Sequence, residues 1–283
     1  MSGRHALITG GSSGIGLAVA AQLVSDGWNL SLIARRGDRL AEARGVLRTN
    51  HGAADRQILP LSADVSDMAA MESAAAAAID AYGPPDLVVT SAGVARPGYF
   101  DSLPIDVFRT AMDVNYLGTV HTIKAVLPAM RQHGGGRVVM VSSGAGLIGL
   151  FGYTAYAPSK FAVRGLAESL RGELARDGIG VSIVYPPDTD TPQLVEENRY
   201  KPPETKRITA QARTWSPDDV ARVILDGVRR NRFAITPGWE MWALSRLHSL
   251  IGFILHHQFD RLAKAARKQA DASDHGQAQG RRE

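Results

Sequence analysis

The chain has 283 residues, 45% of them hydrophobic, with a formal charge of +4. That length fits one large α/β domain with an appendage, and the apolar share is ample for a core, so a disordered or fibrous chain is excluded. The absence of cysteine excludes disulfides, thiolate catalysis and cysteine metal sites, and the basic residues are too scattered to form a nucleic-acid stripe, so no nucleic-acid partner is expected.

Residues Met1 to His5 run straight into an apolar strand. No signal peptide is expected there, and the expected location is cytoplasmic, or peripheral on the cytoplasmic face of a membrane. Short apolar runs predict strands at 5–9, 29–34, 57–62, 87–91, 137–143, 180–185 and 233–236. Helical patterns lie between them at 15–26, 67–82, 108–132, 156–177 and 217–230. This alternation predicts an α/β fold, a Rossmann-type doubly wound seven-stranded parallel sheet with helices on both faces, over residues 1–238. Two segments break the rhythm. Residues 186–215 are rich in proline, threonine and charge and follow the sixth strand, where a substrate lid over the carboxyl edge is expected. After Pro237-Gly238, apolar residues recur at helical spacing at Trp242, Leu247, Leu250, Ile251, Ile254, Leu255, Phe259 and Leu262. They predict an amphipathic helical extension over 239–270, with a flexible, frayed tail over 271–283.

The run Thr9-Gly10-Gly11-Ser12-Ser13-Gly14-Ile15-Gly16 lies between the first strand and the first helix. Glycines let the backbone turn tightly and approach a pyrophosphate, whose charge meets the helix N-terminus. Gly10, Ser12, Ser13, Gly14, Ile15 and Gly16 are therefore candidate dinucleotide-binding residues, although a tight turn without ligand needs glycines too. The second strand ends in Ala34-Arg35-Arg36, with Arg39 one turn on, where an NAD site would place an acid against the ribose 2′-hydroxyl. Planar guanidinium forks suit a 2′-phosphate, so the expected cofactor is NADPH. Asp64 and Val65 follow the third strand and are placed to meet the adenine. Ala92 and Gly93, after Ser91, offer a small-residue path for the adenosine ribose.

Tyr156 and Lys160 are four residues apart on one predicted helix. On a shared face, the ammonium can lower the phenol's pKa from about 10 toward working pH, which makes a proton donor. A serine from a separate strand end can then hold a carbonyl oxygen. Ser142 and Ser143 are adjacent and cannot both point inward; the thirteen-residue gap to Tyr156 favours Ser143.

Together these motifs resemble the short-chain dehydrogenase/reductase family over residues 4–237. The resemblance implies that Ser143 and Tyr156 hold the substrate oxygen and that Lys160 grips the nicotinamide ribose. It implies that Asn115, within Met112-Asp113-Val114-Asn115, anchors a water linked to the lysine, and that the chain forms a homodimer or homotetramer on its two long central helices. Thr90-Ser91-Ala92-Gly93 departs from the Asn-Asn-Ala-Gly of many members, which bears on strand-capping hydrogen bonds and not on the chemistry.

A narrower resemblance rests on Tyr185-Pro186-Pro187-Asp188-Thr189-Asp190-Thr191-Pro192, followed by Glu196-Glu197-Asn198 and Lys201-Pro202-Pro203-Glu204-Thr205, on Leu150-Phe151-Gly152-Tyr153-Thr154-Ala155-Tyr156 and on Phe259-Asp260-Arg261. These look like the 3-ketodihydrosphingosine reductase branch, which implies reduction of a long-chain amino ketone lipid, 3-ketosphinganine, to sphinganine. Thr189 and Thr191 can reach the nicotinamide carboxamide or make a lid hydrogen bond. Asp188 or Asp190 can pair with a substrate ammonium or simply form turns among the prolines, so the amine partner is left unassigned. Other readings are a reductase of other hydrophobic ketones or 3-oxoacyl chains, and a non-catalytic NADPH-binding regulator. Regulators commonly lose the tyrosine or the lysine, and both are present.

The extension suits either a core or dimer face, or a helix resting on lipid and forming a greasy entry to the site. His248, Gly252, His256 and His257 interrupt it, so it lacks the ~18 to 20 continuous apolar residues needed to span a bilayer. Lys264, Arg267 and Lys268 follow, as in a helix lying on an anionic surface. The histidines have no metal-ligand partners of obvious type, and no metal is expected.

Overall fold

The computed structural model describes residues 3–210 and 213–279. In chain order it comprises β1 (His5–Thr9), α1 (Gly14–Ser25), β2 (Asn29–Ala34), α2 (Gly37–His51), β3 (Ile58–Ser62), α3 (Met68–Tyr82), β4 (Leu87–Thr90), α4 (Ile105–Ala111), α5 (Gly118–His133), β5 (Gly136–Val141), α6 (Tyr156–Ala175), β6 (Ile179–Val184), α7 (Pro192–Tyr200), α8 (Pro203–Thr209), α9 (Pro217–Arg229), β7 (Ala234–Ile235) and α10 (Trp239–Gln279).

The strands form one seven-stranded sheet in the order β3-β2-β1-β4-β5-β6-β7, and every pairing is parallel. Parallel strands need helical crossovers that cover both faces, which is why the central strands read as continuous apolar runs and β1 is buried throughout. On one face α1, α2 and α9 bury Val19, Leu23, Leu40, Leu47, Val220 and Ile224. On the other, α3, α5 and α6 bury Met71, Ile123, Val126, Val163 and Leu174. The strand order reverses between β1 and β4, and that switch point opens a crevice at the carboxyl edge.

Three local features differ from the expected pattern. Helix α2 is additional; its buried face is only Leu40, Ala43 and Leu47, a stripe too narrow to stand out among charged neighbours. The expected helix over 108–132 is divided into α4, a π turn at Met112–Leu117 and α5. Helix α10 continues to Gln279, past the point where a frayed tail is expected from residue 271; alanine, glutamine, lysine and arginine after Phe259 are good helix formers. Residues 280–283 of that tail lie outside the described residues.

The segment 186–215 is a closed excursion. Asp190 N donates to the Trp215 carbonyl and Trp215 N to the Asp188 carbonyl, each at 2.9 Å, which pins its base. The Thr191 side chain caps α7 by accepting from Leu194 N at 3.2 Å, with Pro192 in the first turn, where its missing N–H costs nothing. Helix α10 divides its apolar residues between two faces. Met241, Leu244, Leu255 and Phe259 pack on the core, whereas Trp239, Trp242, Leu250 and Phe253 are 74%, 56%, 75% and 79% exposed. The side chains of Ile251 and Ile254 lie outside the described residues. Among the described residues no helix is long and apolar enough to cross a membrane.

Candidate active site

A cleft of about 550 Å³ runs along the carboxyl edge from the Gly-rich turn to the underside of the 186–215 excursion. Gly10 and Gly14 have φ of 68° and 53°, the left-handed region that favours glycine. A Cβ at Gly10 would sit 2.8 Å from Ala92 N, and one at Gly16 would sit 2.5 Å from the Gly10 carbonyl oxygen. Gly16 thus lets α1 pack on its own turn, while Gly10, Ser12, Ser13, Gly14 and Ile15 line the cleft. Ser13 is the N-cap of α1 yet makes no side-chain cap bond, and the first turn carries no acid. The leading N–H groups of a twelve-residue helix therefore face the cleft without a side-chain acceptor, which fits a pyrophosphate.

Arg35, Arg36 and Arg39, after β2, line the cleft on the side of the Gly-rich turn away from Tyr156. Arg36 Nε donates to Asp38 at 3.2 Å and Arg39 to Glu42 at 2.8 Å. Arg35 forms no ion pair among the described residues, which leaves its fork open to a ligand. Val65, Ala92 and Gly93 line the cleft. Asp64 does not; its Oδ1 accepts from the Ser66 N–H at 2.9 Å and from the Ser66 hydroxyl at 2.7 Å. Through that oxygen the carboxylate shapes the turn after β3 that presents Val65 to the cleft.

Tyr156 opens α6 and Lys160 lies one turn on; both are buried. The Ser143 side chain accepts from Ala145 N at 3.1 Å, capping the short turn after β5, and hydrogen-bonds the Tyr156 phenol. Ser142 instead donates to the Lys160 carbonyl at 3.0 Å, tying β5 to α6. The structure thus places Ser143 against the tyrosine. Thr189 is buried in the cleft wall, and its hydroxyl donates to the Pro187 carbonyl at 2.9 Å.

Asn115 sits in the π turn with its amide fully engaged. Oδ1 accepts from Val94 N at 2.8 Å, while Nδ2 donates to the Val94 carbonyl at 3.0 Å and to the Ser159 hydroxyl at 2.8 Å. Its amide clamps the loop after β4 to α6. Asn115 lies near the lysine; a Cβ at Gly93 would be 3.3 Å from Asn115 Oδ1 and 3.5 Å from Lys160 Nζ.

In the ligand-free site the phenol's shift runs opposite to the expected one. The Tyr156 phenol is pushed up, first by burial and then by Glu197, against hydrogen bonds from Ser143 and Gln193 that lower it. Burial pushes Lys160 down to about 8. The Lys160 ammonium donates to the Val141 carbonyl at 3.0 Å, and burial rather than the lysine sets the direction of the phenol's shift.

Sequence reasoning gave Tyr153, Gln193, Glu197 and Lys201 no role in the site, although Tyr153, Glu197 and Lys201 lie in motifs that carry the narrower resemblance. The Tyr153 hydroxyl donates to Glu197 Oε2 at 3.0 Å, and Gln193 Nε2 donates to Oε1 at 2.9 Å. Lys201 pairs with Asp188 at 3.8 Å. The available signal was the i, i+4, i+8 spacing of Gln193, Glu197 and Lys201, which marks one face of a helix inside the proline-rich excursion.

The short chain dehydrogenase family model matches residues 4–201. A 3-dehydrosphinganine reductase of Danio rerio is 41% identical over 249 residues, covering 87% of this chain and 75% of its own length. A Burkholderia phymatum short chain dehydrogenase/reductase, solved in complex with NAD, superposes with a TM-score of 0.79 at 26% identity, covering 89% of this chain and 95% of its own. An alcohol dehydrogenase from Thermococcus sibiricus, complexed with 5-hydroxy-NADP, gives 0.70 at 26% identity over 82% and 95%. With its sheet order, Gly-rich turn and Ser-Tyr-Lys cluster, this chain belongs to the short-chain dehydrogenase/reductase family.

Proposed function

We propose that this chain is an NADPH-dependent reductase that converts 3-ketosphinganine to sphinganine, with Tyr156 as the proton donor. The observation that carries the proposal is the meeting of Ser143, Tyr156 and Lys160 in a buried cleft roofed by α7. The likeness to a protein named 3-dehydrosphinganine reductase supports the choice of ketone.

Bound along the cleft, a reduced nicotinamide dinucleotide supplies hydride to the ketone carbon. The Gly-rich turn and the α1 N-terminus hold its pyrophosphate, and Arg35, with Arg36 and Arg39, holds a 2′-phosphate. Ser143 donates a hydrogen bond to the ketone oxygen, and Tyr156 gives that oxygen its phenolic proton as negative charge develops. A raised phenol pKa keeps the proton in place at neutral pH, ready for transfer. Lys160 sets positive charge beside the tyrosine as it loses the proton, and hydrogen-bonds the nicotinamide ribose. Asn115 keeps Val94 and Ser159, and so the floor of the site, in register. Helix α7 excludes water from the reacting atoms.

The exposed Trp239, Trp242, Leu250 and Phe253 support contact of α10 with the cytoplasmic face of a membrane, with exposed Lys264 near anionic headgroups. Exposed Phe161 on α6 and Leu117 before α5 support a homodimer or homotetramer built on those helices. The test of the catalytic proposal is oxidation of NADPH that depends on added 3-ketosphinganine and is lost in Tyr156→Phe.

A further inference from the structure

An α-amino ketone carries its nitrogen on the carbon next to the carbonyl. A carboxylate that receives the ammonium must therefore share the pocket with the hydroxyls that hold the oxygen. The excursion carries five acids. Glu196 is exposed and pairs with Arg199 at 2.8 Å, and Glu204 is buried but accepts from the Tyr99 hydroxyl at 2.9 Å; neither lines the cleft. Asp190 is exposed and does not line the cleft. Asp188 lines it, but is half-exposed and faces the buried Lys201 ammonium at 3.8 Å. Glu197 lines the cleft and is 8% exposed. It forms no ion pair within 4 Å among the described residues; its two oxygens are met by neutral donors, the Tyr153 hydroxyl and the Gln193 amide.

Gln193 also hydrogen-bonds the Tyr156 phenol, so Glu197 is one side chain removed from the proton donor. Its two neutral partners fix its rotamer. Lys201 and Lys160 act on it only from beyond contact; a carboxylate held dry with no cation against it is costly, and an ammonium entering the pocket offsets that cost. An isosteric change is permitted: a glutamine's amide oxygen can still accept from Gln193 Nε2, and its NH2 can donate to the Tyr153 hydroxyl oxygen once that hydroxyl turns.

Resting on the amino-ketone reductase proposal above, we propose that Glu197 binds the substrate's ammonium and makes the enzyme selective for amino ketones. Glu197 is then the specificity determinant of the site, and Tyr153 and Gln193 are its positioning residues. A purely structural Glu197, tying α7 to the loop before α6, would act on every ketone alike.

The experiment compares 3-ketosphinganine with its deamino analogue, which keeps the chain, the ketone and the primary hydroxyl, in the wild-type protein and in Glu197→Gln. Wild type is expected to favour the amino ketone by at least about tenfold in kcat/KM. Because Glu197 also pushes the Tyr156 phenol up, the variant acts on both ketones through the proton donor, and the readout is their ratio: Glu197→Gln is expected to lower the amino-to-deamino ratio of kcat/KM by about 10- to 100-fold, the range of a charge-assisted hydrogen bond. NADPH affinity, followed by fluorescence, stays within about threefold of wild type. An unchanged ratio would overturn the assignment. The wild-type ratio needs no variant, so a misfolded Glu197→Gln does not shelter it: amino-ketone turnover without preference for the amine removes Glu197 and leaves the enzyme assignment standing. Wild type that reduces the deamino ketone and not the amino ketone overturns both.

Discussion

Lys160 Nζ donates to the Val141 carbonyl at 3.0 Å and lies 5.6 Å from the centroid of the Tyr156 ring. The helix-borne ammonium is thus seated at the end of β5, in a dry site that pushes its pKa down to about 8. Below that pH the ammonium is charged and can grip a ribose; above it the charge is lost. NADPH affinity is expected to be flat from about pH 6.5 to 8 and to weaken by up to about tenfold per unit above it. Fluorescence titrations across that range check this, and an affinity unchanged up to about pH 9.5 would contradict it.

The same shift has a sign for stability. The folded state holds the Lys160 proton less tightly than the unfolded chain, whose lysine titrates near its ordinary value of 10.5. Its penalty is fully present below about pH 8 and is relieved as pH rises toward 10.5. In thermal melts of the ligand-free protein, the stability of wild type relative to Lys160→Met is expected to rise across that window. A difference independent of pH would contradict the burial argument.

Arg35 is the unpaired guanidinium lining the cleft, while Arg36 and Arg39 are held by Asp38 and Glu42. Arg35→Ala is expected to raise KM for NADPH by about tenfold or more and to change KM for NADH by less than about threefold. Steady-state kinetics with both cofactors decide it; equal effects would place the 2′-phosphate elsewhere.

Much of this was legible in the sequence because it depends on local pattern. The apolar runs 29–34 and 5–9 became β2 and β1 at the same residues, since strands buried on both faces need no partner information to be recognised. The Tyr156/Lys160 pair begins a helix as its spacing requires. What escaped was non-local. Nothing near Asn115 announces that its amide is saturated by Val94 and Ser159, 21 and 44 residues away. Nor does the sequence show that Glu197 meets Tyr153 across 44 residues, because the Pro-rich excursion conceals α7. The bonds of Asp64 to Ser66 were not legible either, because a turn-forming acid and an adenine-binding acid occupy the same position after a strand.

Asn115 is buried and satisfies both backbone groups of Val94. Asn115→Leu leaves them and Ser159 without those partners and is expected to cost about 2–4 kcal/mol of stability. Chemical denaturation measures this. A loss below about 1 kcal/mol would show that the clamp is dispensable.

Trp242 and Phe253 project from the face of α10 that the core leaves bare. The double change Trp242→Ser, Phe253→Ser is expected to reduce co-sedimentation with anionic vesicles by about tenfold or more, from lost apolar burial. Turnover of detergent-dispersed substrate should be unchanged. Undiminished vesicle binding would reject α10 as the lipid contact.

Tyr156→Phe removes the proton and keeps the ring. It is expected to lower kcat about 10²- to 10⁴-fold while NADPH binding stays within about threefold. Loss of cofactor binding in parallel would assign the phenol a structural role.

Purified protein incubated with 3-ketosphinganine and either NADPH or NADH, with the product identified by mass spectrometry, is expected to form sphinganine at least about tenfold faster with NADPH. No sphinganine with either cofactor, alongside turnover of other apolar ketones, would contradict the proposed substrate.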